Sequence, residues 1–112
     1  MKKLLLILIA LPMIGFGQST LLVPSQYATI QGAIDASSNG DIVLISPGLY
    51  SSIDIIDKDI TLASLYFTTN DTSYIATTIL DGANINTVVE IDGGTGVISL
   101  IGLTIQNGSG SS

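Results

Sequence analysis

Apolar and polar positions along this chain form short runs broken by turn pairs, with one stretch at helical spacing. Tyr27, Ile30, Ala33 and Ile34 recur at helical intervals, which predicts an amphipathic helix with Gln31 and Asp35 on its wet face. Ser25 or Thr29 is placed to cap its start, and Gly40 to stop it. Gly32 inside so short a helix means that it needs a surface to lie on. Ahead of it, Leu21, Leu22 and Val23 are an extended lead-in able to pair with a sheet edge. After Gly40 the pattern predicts strands and turns only. Residues 42–45 are continuously apolar, as in a strand covered on both faces. Residues 53–55 and 60–63 alternate, and runs at 88–91, 97–100 and 103–106 follow, most gaps carrying Gly, Asn, Asp or Ser.

Three of these runs look like copies: IVLISPG from Ile42, TTILDG from Thr77 and LTIQNG from Leu103. Thr78 and Thr104 lie 26 residues apart, and Asp81-Gly82 repeats as Asn107-Gly108. The first interval, from Val43 to Thr78, is nine residues longer, and the polar segment 66–76 reads as a loop inserted in one coil. Between the copies, residues 53–56 stack on 88–91 and residues 60–64 on 98–102. Each coil is then three strands and three bends, about two dozen residues per circuit. The expected fold is all-β: a parallel β-helix, a solenoid whose N-terminal end is capped by the helix. The repeat runs to within a few residues of Ser112, so the chain is expected to be a truncated N-terminal fragment continued by C-terminal coils of its own parent, or else to have its last coil covered by something outside it.

Composition adds a compartment. Lys2 and Lys3 precede an apolar run from Leu4 to Ile14, then small residues about a cut after Gly17, the pattern of a cleaved signal peptide over residues 1–17. The run is shorter than the ~20 residues that span a bilayer, so no stable membrane span is expected after cleavage. Residues 18–112 then form one domain, secreted or held at the cell surface, with no cysteine to staple it. Lys58 is left as the one base against nine acids, a net charge of −8. Such a surface repels phosphates and excludes nucleic acid as a partner.

The string YATIQGAIDASSNGDIVLISPGLYSSIDIIDKDITLAS (residues 27–64) resembles the opening of pectin-lyase-like right-handed β-helix proteins, and VISLIGLTIQNG (97–108) is similar to a coil of that family. The likeness spans about residues 25–108. It implies a right-handed parallel β-helix but is weak for activity: polysaccharide lyases, pectin esterases, glycoside hydrolases and many non-catalytic surface proteins share this opening, and Ca²⁺ is a candidate cofactor of the full-length parent. Lyases of this group, the resemblance implies, set an arginine or lysine base beside acidic calcium ligands, and the methylesterases set paired aspartates beside an arginine and glutamines. Neither set can be completed from residues 18–112, which hold no arginine or histidine.

Candidate chemistry is correspondingly thin. Asp54, Asp57 and Asp59 surround Lys58, and carboxylates at that density are Ca²⁺ candidates, though Asp57-Lys58-Asp59 also reads as a bend with solvated acids. Tyr66, Phe67 and Tyr74 flank the inserted loop and are carbohydrate-binding candidates by ring stacking, or else pack the loop onto the coil. No catalytic residue is expected, and without Cys or His no zinc site or Cys/His nucleophile system can form. The functional expectation is the N-terminal part of a secreted protein that acts on or binds acidic, pectin-like polysaccharide, the fragment itself being non-catalytic. The alternative is a non-catalytic surface or adhesion solenoid.

Overall fold

Backbone pairing in this chain runs between strands that are distant in sequence, and every pair is parallel. The computed structural model describes residues 18–94 and 97–109; the leader expected over residues 1–17 lies outside them. The elements run β1 (Thr20–Val23), α1 (Ile30–Ala36), β2 (Ile42–Ile45), β3 (Gly48–Tyr50), β4 (Ile53–Ile56) and β5 (Thr61–Ser64). They continue with α2 (Tyr66–Thr69), α3 (Ser73–Thr77), β6 (Thr78–Asp81), β7 (Val89–Asp92), β8 (Ser99–Ile101) and β9 (Thr104–Gln106).

The strands sort into three sheets, ordered β1-β2-β5-β8, β3-β6-β9 and β4-β7. Parallel neighbours need a crossover, and here it is made largely of other strands. From β2 the chain visits the second sheet with β3 and the third with β4, then returns to the first with β5. It repeats the tour through β6 and β7 to β8, and enters the second sheet again with β9. The molecule is therefore β-rich, built of parallel sheets with few helices.

Alternation sets the core. Leu21, Val23, Val43, Ile45, Ile53, Ile55, Leu62 and Leu80 point one way along their strands and are buried. Burying each such side chain stabilises the fold by about 1.5–3 kcal/mol relative to exposure. α1 lays Ile30, Ala33 and Ile34 on this core, with Tyr27 half-buried beside them, and packs against β1, β2 and β4. Thr29 is its N-cap, its hydroxyl accepting from Gly32 N–H at 3.0 Å. The helix ends before Gly40. Ser37 N–H and Oγ–H both donate to the Ile34 carbonyl, at 3.1 and 2.6 Å, and the chain turns extended there. Gly40, at φ +92°, serves the next turn, and its N–H donates to the Asp59 carbonyl.

The structure corrects several expectations. The run 42–45 does not stack on 78–81, because it belongs to the first sheet; Gly48 is the residue opposite Thr78. An apolar run ending in a turn describes strands of all three sheets, so likeness between runs cannot tell one sheet from another. The later copies do stack, but Ile79 lies opposite Thr104 rather than Ile105. The shift has a reason: it sets Ile105 on the buried Leu80, whereas the other register would turn one strand's apolar side chains outward. Likewise Ile53 lies opposite Val89 rather than Val88, while the stacking of 60–64 on 98–102 holds, with Thr61 opposite Ser99. Circuits are uneven: that from Ile42 to Thr61 is half as long as that from Thr61 to Ser99, which carries the insertion. The insertion is not a plain loop either. Thr68, Thr69 and Thr77 hydroxyls bond carbonyls three or four residues back, closing α2 and α3 as short helical turns.

Candidate functional site

The two ends of this stack differ. At the first end α1 seals the core and also one strand edge. Gln31 Oε1 accepts from Asp54 N–H at 2.8 Å while its Nε2 donates to the Asp54 carbonyl at 3.0 Å, so one side-chain amide bonds β4 as a neighbouring strand would. Lys58 Nζ donates to the Ile34 and Asp35 carbonyls, satisfying the last turn of α1 and placing a positive charge at its negative end.

At the other end β7, β8 and β9 are the outermost strands of their sheets, with no neighbour beyond them among the described residues. Ile91 sits on Ile55, Leu100 on Leu62 and Ile105 on Leu80. The lower member of each pair is 0% exposed, and the upper members are 49%, 38% and 46% exposed. These are core positions by register that no described residue covers. With three strand edges left unpaired among the described residues, this end is open to pairing with another strand-bearing chain.

The carboxylate candidates do not converge. Asp54 is on the exposed face of β4, directly opposite Glu90 of β7. Asp57 sits in a left-handed bend at φ +54°, its N–H donating to the Asp92 carbonyl at 2.7 Å and its carboxylate accepting from Gly94 N–H at 3.3 Å. Asp59 N–H donates to Asn39 Oδ1 at 3.0 Å. Among the described residues no group of three or more Asp, Glu, His or Cys side chains is placed to hold a metal ion. Asp54, Glu90 and Asp92 do line a shallow acidic cavity of about 460 Å³ with Ile56 and Ile91. Like charges opposite one another on adjacent strands are mildly destabilising.

Of the aromatic candidates, Tyr66 and Phe67 are on α2 and Tyr74 on α3, which packs against α2. Tyr66 and Tyr74 are half-buried, and Phe67 is exposed. Tyr66 lies over Gly102, where an added Cβ would come 3.0 Å from Tyr66 Cβ. The insertion is tied down further by Thr104 Oγ1, which donates to the Ile75 carbonyl at 2.6 Å.

Sequence reasoning passed over three structural residues. Asp41 is buried, and its two oxygens accept from Ser19 N–H at 2.9 Å and Ser38 N–H at 2.8 Å, tying β1 to the turn after α1. Gln31, read as a wet-face residue, carries the bonds to β4. Asp81, at the end of β6, accepts from Gln106 and Asn107 side chains and from Ala83 N–H. The Gln106 bond first, then Ala83 and Asn107, hold its carboxyl below the usual carboxylate range. Only Asp-Gly at 81–82 signalled a turn; its cross-strand partners had no sequence mark. Comparison with protein-family models, with curated proteins and with solved structures finds no match.

Proposed function

We propose that this chain is the capped N-terminal part of a right-handed parallel β-helix in an exported protein, and that its β7–β9 end receives further parallel coils. The observation that carries the reading is the stacking of Ile91, Leu100 and Ile105 on fully buried partners while they themselves stay open. The three-sheet tour of the strands supports it, and parallel crossovers are overwhelmingly right-handed. On this reading residues 18–109 are a scaffold: a seal at one end and a template at the other. Binding of, or action on, acidic polysaccharide belongs to coils stacked beyond β9. The scaffold role is favoured for the described part by its single base, Lys58, which is spent on the carbonyls of α1.

Stacking is tested with cysteines, of which the chain has none. Asp54→Cys with Glu90→Cys places two thiols opposite each other on adjacent strands, within disulfide reach. Air oxidation should join them in the folded protein, whereas a folded double variant that stays reduced overturns the stacked arrangement. The purified chain should also release neither unsaturated product nor methanol from pectin, with or without Ca²⁺. Release of either would put the chemistry in the scaffold itself.

A further inference from the structure

Between the start of α1 and the corner joining β3 to β4 lies a half-open cavity of about 360 Å³. Counting outward toward the capped end among the described residues, β2 is covered by β1 and β4 by the Gln31 amide, but β3 has no counterpart. β3 is the outermost strand of the sheet β3-β6-β9, and its free side opens beside Thr29, Gln31, Leu49, Tyr50, Ser51 and Ser52. Alternate backbone N–H and C=O groups of an edge strand point away from its one partner. Leu49, in the middle of β3, is 69% exposed, and the hydroxyls of Ser51 and Ser52 make no hydrogen bond among the described residues.

We propose that this gap binds an extended peptide by strand addition to β3, with Leu49 as its apolar ledge. The backbone of β3 offers donors and acceptors at a strand's repeat of ~3.3 Å per residue, which another extended backbone matches along the three-residue edge. No charged side chain lines the cavity, so the matching peptide is uncharged, rich in β-branched and hydroxyl side chains. A sugar is the poorer occupant because the one aromatic ring here is already used. Tyr50 lies against Gly48, 3.2 Å from where a Cβ would be, and its hydroxyl donates to the Ser46 carbonyl at 2.7 Å. The proposal does not depend on further coils at the β7–β9 end, which is a different surface.

The test is a titration of the ¹⁵N-labelled full chain with the neutral peptide acetyl-Thr-Val-Thr-Val-Thr-amide, followed by amide shifts. Saturable shifts at residues 48–52 are expected. The same peptide N-methylated at both valines, which removes two donors, should bind at least about tenfold more weakly. Ala28→Trp, a substitution at an exposed position on the cavity wall, should weaken binding about fivefold or more and leave the remaining spectrum in place. The proposal is overturned if residues 48–52 do not shift at about 5 mM peptide, or if the methylated peptide binds equally well. It is equally overturned if cellotetraose shifts these amides in place of the peptide, or if the shifts fall on β7, β8 and β9 instead.

Discussion

The capped end and the open end of this molecule are built from the same kinds of side chain and differ in what lies over them. Ile30 and Ile34, on the core-facing side of the seven-residue helix α1, are 2% exposed. Ile91, Leu100 and Ile105 have equal apolar bulk and remain open. The capped end succeeds because α1 solves two problems at once: its apolar stripe covers the core, and Gln31 satisfies a strand edge that a helix backbone cannot reach. Burial alone does not close a parallel sheet; the edge needs hydrogen bonds as well.

The widest separation between the ends is expected from truncation. Ile34→Ala should lower unfolding free energy in urea by about 2–5 kcal/mol, whereas Ile105→Ala should cost less than about 1 kcal/mol. Equal losses would mean that the second end is covered in solution and break the comparison. A tight corner beside the open end gives a middle case. An added Cβ at Gly82 would lie 2.6 Å from the Asn86 carbonyl oxygen and 2.8 Å from that of Asn107. Neither is a side chain that can swing away, so Gly82→Ala should cost about 1–3 kcal/mol. Gln31→Ala should cost about 1–2 kcal/mol through its two lost backbone bonds, and hydrogen exchange at the Asp54 amide should quicken toward that of an unpaired edge.

Acid should act through the turn that joins the last two layers. Asp81 is held below its ordinary value of 3.8 chiefly by Gln106. A carboxylate whose folded value is depressed contributes stability present above its unfolded value and lost as pH falls through the folded one. Urea midpoints should therefore fall as pH drops below about 4, and Asp81→Asn should flatten part of that decline. The smallest change is expected at Phe67→Ala in the insertion, within about 0.5 kcal/mol, because the side chain is 44% exposed and lies outside the core.

What could be read from the sequence follows the same physics. The stripe of α1, the β1 lead-in and the alternation of β4 were legible because periodicity reports which face meets the core, whereas β5 does not alternate, Leu62, Ala63 and Ser64 all being buried. The inter-layer registers at β6/β9 and β4/β7 were each legible only to within one residue, since a slip leaves composition unchanged and reverses only the faces. β3 escaped notice because Gly48-Leu49-Tyr50 follows a proline and carries its one large apolar side chain outward. The helical turns of the insertion were hidden in a Thr-, Ser- and Asn-rich segment whose order comes from hydroxyls bonding back to carbonyls. At the candidate site, turn acids were legible as turn acids, but the partners of Asp41, Asp81 and Gln31 are contacts made across layers.

Lys58 has one more consequence. Beyond Lys3 it is the only lysine or arginine in the chain, so trypsin has a single bond to cut after residue 3, that between Lys58 and Asp59. That bond sits where the ammonium grips α1 and where Asp59 bonds Asn39 and Gly40. Cleavage there needs those bonds to loosen, and it shows as loss of the intact band, since the pieces it leaves, residues 4–58 and 59–112, are nearly equal in size. The rate of that one cut is therefore a clock for the opening of the sealed end, readable on a gel without any label.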